Sequence, residues 1–132
     1  MAVKIGNAVR DENGGIAGGQ IGDQDGREVR TQSFYVKGWT SVLRAENSAM
    51  AEAIAANMEA ACANDNIGYS QKKNRYTLFQ SLKTNGKNMA TAIGDCDCSE
   101  LVRVCCWLAG ANLAEKISTA NMLSEFKKSG QF

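Results

Sequence analysis

Glycine divides this chain in two. Seven of its 13 glycines fall within the first 26 residues, and the 132 residues contain no proline. The stretch from Ile5 to Gly26 reads IGNAVRDENGGIAGGQIGDQDG. Glycine enters positive φ without steric cost and is a poor helix former. The Asn-Gly, Gly-Gly and Asp-Gly pairs here therefore predict turns. A phosphate-binding loop needs a preceding strand, a Gly-Lys-Ser/Thr ending and a following helix, and this stretch has none of them. A calcium loop is not matched either: Asp23 to Gly26, DQDG, offers carboxylates without the full ligand ladder and its closing glutamate. The expectation is a glycine-rich arm over residues 1–38.

The rest of the chain is helix-rich. REVRTQSFYV, residues 27–36, is rich in strand formers and predicts an extended arm or short strand, with Trp39 starting a link into a helix. An alanine-rich helix is predicted over residues 45–63, capped by Asn47 or Ser48, with Met50, Ile54, Met58 and Ala61 at helical spacing. Further helices are predicted over 75–84, where Leu78, Phe79 and Leu82 face inward, over 98–109 and over 119–128. There is no tandem repeat and no long linker. A net charge of +1 gives no reason to bind a polyanion. No apolar run is long enough to span a bilayer, and the first residues lack the apolar core of a signal peptide. Synthesis in the cytoplasm is expected, where free thiols are the default.

Four of the five cysteines lie within GDCDCSELVRVCCW, Gly94 to Trp107, and the 132 residues contain no histidine. Counted from Cys98, the residues Leu101, Val102, Cys105, Leu108 and Ala109 share one helical face. Val104, Cys106 and Trp107 add apolar groups on other sides, so most of this helix is expected to be buried, interrupted only by Ser99, Glu100 and Arg103. Cys98 sits at its first turn. Free amides and the helix dipole favour a thiolate there and can hold an oxyanion, so a lowered thiol pKa is expected. The plain alternative is a small buried apolar residue, which is how Cys62, Cys105 and Cys106 are read. A four-cysteine zinc site is disfavoured: neighbouring Cys105 and Cys106 diverge by about 100° on a helix, and the Cys-x-x-Cys knuckle is missing. Thiol redox chemistry, on Cys96-x-Cys98 or Cys105-Cys106, lacks the usual spacing.

DCSELV, Asp97 to Val102, resembles the Asp-Cys-Ser-Gly-Leu-Val motif of NlpC-type, CHAP-related cell-wall peptidases, departing from it at Glu100. GNAVRDENGGIAGGQIGDQDGREV is similar to the opening of lysins carried by phages and mobile elements of Gram-positive bacteria, and MEAACANDNIGYSQKKNRYTLF to their middle. The resemblance runs from Ile5 to the end of the chain. It implies an α+β, papain-like cysteine hydrolase domain, with residues 1–132 as its mostly helical N-terminal half: the arm over 1–38 and a helical part over 45–132. It implies Cys98 as the nucleophile, Asp97 and Ser99 as neighbours shaping the substrate-binding end of the cleft, and Tyr69 as a tyrosine approaching the nucleophile. It implies hydrolysis of an amide in bacterial peptidoglycan, by an amidase or endopeptidase that needs neither metal nor organic cofactor and acts on the wall after release. In that family a histidine base lies downstream of the cysteine helix. The expectation is therefore a chain inactive alone, completed by a C-terminal catalytic segment or another copy of itself. The rival reading is a non-catalytic module, derived from such an enzyme, that binds cell wall or a partner. Neither nucleic acid nor membrane is an expected partner.

Overall fold

The computed structural model describes residues 2–132. Among them the fold is α+β, with four α-helices and two two-stranded sheets. Strand β1 (Lys4–Ala8) pairs antiparallel with β2 (Val29–Ser33), Gly6 lying opposite Thr31. The glycine-rich stretch, expected as an arm with turns, is thus the long connection of a strand pair, and the short strand read in residues 27–36 is β2. Helix α1 (Ser48–Ala63) is capped by Asn47, whose Oδ1 accepts the Met50 amide at 2.9 Å. Then come β3 (Ile67–Tyr69), α2 (Thr77–Thr84), a single 3-10 turn (Met89–Thr91), β4 (Gly94–Cys96), α3 (Cys98–Leu108) and α4 (Met122–Ser129).

The helical part expected over 45–132 is interrupted by two strands. β3 and β4 pair in parallel, Tyr69 opposite Cys96, with α2 as their crossover. Parallel neighbours need such a connection because no tight turn can reverse the chain twice. Two glycines allow this unit to pack. A Cβ on Gly94 would collide with the backbone of Leu78 in α2, and one on Gly68 with the Gly22 carbonyl. The strands are therefore in direct backbone contact with α2 on one side and the glycine-rich loop on the other.

α1 packs on α3, and α3 is buried nearly all round, as its sequence predicts. One face joins Leu101, Val104 and Cys105 to Ile67, Leu78, Leu82 and Ala61. Full burial of each large aliphatic side chain is worth about 1.5–3 kcal/mol. Cys106 faces a second cluster with Ala111, Ile117 and Phe126, which α4 closes. The two adjacent cysteines thus point into different parts of the core.

Three residues read as interruptions are themselves buried. Ser99, Glu100 and Arg103 are all almost fully excluded from solvent. Arg103 donates from Nε and Nη2 to the two Glu100 carboxylate oxygens at 2.7 and 2.9 Å. Its guanidinium also lies 4.3 Å from the centre of the Phe79 ring. Glu100, the departure from the motif, is one half of a buried ion pair.

Candidate functional site

The site grows from the β4–α3 junction. Asp95 and Cys96 end the strand, Asp97 is the N-cap and Cys98 the first helical residue. Asp97 Oδ1 accepts the Glu100 amide at 2.8 Å and the Ser99 hydroxyl at 3.0 Å, while its main-chain carbonyl accepts the Leu101 amide. Aspartate is among the best N-caps because its carboxylate takes amides that the helix leaves unpaired. An Asp-x-x-Glu sequence also suggests a capping box. Here Glu100 instead reaches forward to Arg103.

Cys98 is half-buried, at the helix mouth, with the amides of Ser99 and Cys98 turned to its thiol. The thiol pKa nevertheless lies above its usual value, opposite to the expected lowering. Burial is the larger cause and the neighbouring Asp97 carboxylate the second; the two amides and Arg75 oppose them without overcoming them. The helix terminus does favour the thiolate, but partial desolvation next to a carboxylate outweighs it. The other thiols are also displaced upward. Burial pushes Cys106 up to about 12, and Cys105 and Cys96 well above the usual thiol range. Cys62, half-buried, is raised more simply by desolvation.

Tyr69, Asp97, Cys98 and Ser99 are brought together. Tyr69 ends β3 beside Cys96, is buried, and is close enough for a charge on Cys98 or Asp97 to raise its phenol pKa, although burial is the main cause. Its hydroxyl accepts from Gln71 Nε2 at 2.6 Å. The sequence reading missed the groups that hold these four in place. Arg75, just before α2, pairs with Asp97 Oδ2 at 2.6 Å and donates from Nη2 to the Ser99 hydroxyl and the Ile117 carbonyl. Glu28, fully buried, accepts the Tyr69 amide at 3.1 Å on one oxygen and the Gln24 amide on the other. Asp95, also fully buried, accepts the Gly22 amide at 2.9 Å. Burial raises the pKa of both carboxyls. Ser70 and Gln71 donate to the Ala17 and Ile16 carbonyls. The glycine-rich loop is therefore strapped across the floor of the site.

That loop also holds a carboxylate trio. Ligand atoms of Asp23, Asp25 and Glu28 all lie within 4.8 Å of one another. The residue that extends DQDG is Glu28, five positions after Asp23, which the loop reading did not weigh. These oxygens are already engaged: Asp23 accepts the amides of Asp25, Gly26 and Val29, Asp25 accepts that of Arg27, and Glu28 is occupied as above. Through these amides the trio shapes the turn. A cavity of about 930 Å³ lies elsewhere, lined by Trp39, Val102, Cys106, Met122 and Phe126 among others.

A profile of the endolysin-like domain family matches residues 5–132, nearly the whole chain. The chain belongs to the endolysin-like domain family. This is an endolysin-type family, and membership points to a phage cell-wall lytic role. No curated protein matches the chain significantly, and no solved structure does. The β4–α3 junction of this endolysin-like domain brings a cysteine, an aspartate cap and an arginine together. Among its described residues no helix is long and apolar enough to cross a membrane.

Proposed function

We propose that this endolysin-like domain is a papain-like, NlpC-type cysteine peptidoglycan hydrolase in which Cys98 is the nucleophile. The observation that carries the reading is the position of Cys98: a partly buried thiol on the first turn of a buried helix, whose main-chain amides favour its thiolate. The Cys98 sulfur attacks the carbonyl carbon of a wall amide. The amides at the helix mouth accept the negative charge on the carbonyl oxygen. The amine leaves with a proton, a thioester remains on Cys98, and water releases the acid and regenerates the thiol. Tyr69 and Ser99, both buried, back the nucleophile. The bond is one of the stem peptide or the muramic acid–L-alanine amide.

Two proton transfers in this scheme need a base with a pKa near neutrality. The 132 residues contain no histidine, and burial moves the Tyr69 phenol further from neutrality, so it is a poor substitute. We assign the base to an imidazole from outside these residues, on a further segment or another subunit. The second reading is a module that binds cell wall without cutting it, and the absence of histidine from the 132 residues favours it. Release of amino groups from purified Gram-positive walls separates the two. The 132-residue chain should release no more than its Cys98→Ala form, and supplying imidazole should produce release that depends on Cys98. A chain that binds walls tightly yet gives no Cys98-dependent release under any imidazole supply is the module.

A further inference from the structure

Arg75 lies 23 positions before Cys98, on the segment leading into α2. Its polar contacts reach both α3 and the segment before α4. Its Nε is 2.6 Å from Asp97 Oδ2. Nη2 donates to the Ser99 hydroxyl at 3.2 Å and to the Ile117 carbonyl at 2.9 Å, and Nη1 donates to the Tyr76 hydroxyl at 3.0 Å. The side chain retains only 18% exposure. One guanidinium thus ties the cap of α3, the residue after the nucleophile and the segment before α4 to α2. A planar fork with several fixed donors can do this, and an ammonium cannot.

We propose that Arg75 is a positioning residue for the Cys98 nucleophile: it locks the Asp97 cap and supplies the positive charge that offsets the Asp97 carboxylate beside the thiol. Asp97 has two opposing effects. Its carboxylate is needed to cap α3, yet it places a negative charge next to the sulfur that must become a thiolate. Arg75 removes the conflict, because it pairs with Oδ2 while Oδ1 continues to cap. The charged and titratable groups around Cys98 are Asp97 on its own helix cap, Arg75 ahead of α2, and Tyr69 on β3, whose phenol burial raises above its ordinary value. The two charges oppose each other, so removing either should move the thiol in a defined direction. This role rests on Cys98 being the nucleophile, but its test needs no peptidoglycan and can fail independently of wall cleavage.

The experiment is alkylation of Cys98 by iodoacetamide from pH 6 to 10.5, read on the Cys98 peptide by mass spectrometry. Arg75→Met should move the pH midpoint up by about one unit, making labelling at pH 8 about tenfold slower. Adding Asp97→Asn to that variant, which keeps a good N-cap, should return the midpoint close to wild type. Arg75→Lys keeps the charge without the fork and should hold the midpoint while lowering the urea midpoint. Labelling of Cys105 and Cys106 in the same digests reports unfolding. If Arg75→Met unfolds, Arg75→Lys and Asp97→Asn alone decide: the first must keep the wild-type midpoint and the second must lower it. A wild-type profile in folded Arg75→Met, failure of Asp97→Asn to restore it, or a shifted midpoint in Arg75→Lys would overturn the assignment.

Discussion

Replacing Glu100 by the glycine found at that motif position should come close to unfolding this domain. The substitution removes one partner of a pair whose two side chains are both fully buried. Arg103 would keep its charge with no carboxylate and no water. Breaking a buried ion pair from one side costs about 3–5 kcal/mol. Glycine inside a helix adds about 0.5–1 kcal/mol relative to glutamate. The sum, about 4–6 kcal/mol, is a large part of the 5–15 kcal/mol expected for a small domain. With a urea slope of about 2 kcal/mol/M, the midpoint should fall by roughly 2–3 M. Urea titration followed by circular dichroism is the assay. The double variant Glu100→Leu with Arg103→Met removes both charges and should stay within about 2 kcal/mol of wild type, since apolar replacement of a whole buried pair is often neutral. A midpoint shift below about 0.5 M for Glu100→Gly, or a double variant worse than the single, would refute the pair as the reason this position departs from the motif.

Two further outcomes are expected. Asp95 and Glu28 are raised by burial above their ordinary 3.8 and 4.5, so between those values and their folded pKa the folded state binds more protons than the unfolded one. Stability should therefore fall as pH rises from those ordinary values through the folded pKa; urea midpoints from pH 4 to 8 should show a downward slope that flattens in Asp95→Asn, and a flat wild-type profile would contradict it. Among the thiols, Cys98 should alkylate first at pH 8.5, ahead of Cys62 and far ahead of Cys96, Cys105 and Cys106, with a rate still climbing above pH 9; Cys62 reacting first would undermine the nucleophile assignment.

The cysteine helix was legible because its apolar spacing and its cap are both local. Its charged residues were not, since Glu100 and Arg103 default to solvent unless a buried partner three positions away is recognised. That i,i+3 spacing was present in the sequence. β3 and β4 left no periodic trace: each has three residues, too few for alternation, and Ile67–Tyr69 and Gly94–Cys96 exist as strands only by pairing with each other. β1 was hidden for a related reason, because KIGNA carries a central glycine that packs under Met58 of α1. Cys98, Asp97, Ser99 and Tyr69 were reachable through the motif and its resemblance. Arg75, Glu28 and Asp95 were not, because their contacts span 24, 41 and 73 positions. The lowered thiol pKa failed for a different reason: the helix terminus was read from sequence, but the extent of burial and the adjacent Asp97 charge act in three dimensions.

The central claim is covalent chemistry at Cys98, and the most direct measurement is the intact mass of the chain after exposure to an activated acyl ester. A nucleophile without its base should acylate and then stall, because deacylation needs an activated water. The expected result is one added acyl group per chain, mapped to Cys98, absent from Cys98→Ala and released faster when imidazole is added. Acylation at another residue, or rapid turnover by the 132-residue chain with no accumulated thioester and no response to imidazole, would contradict the account.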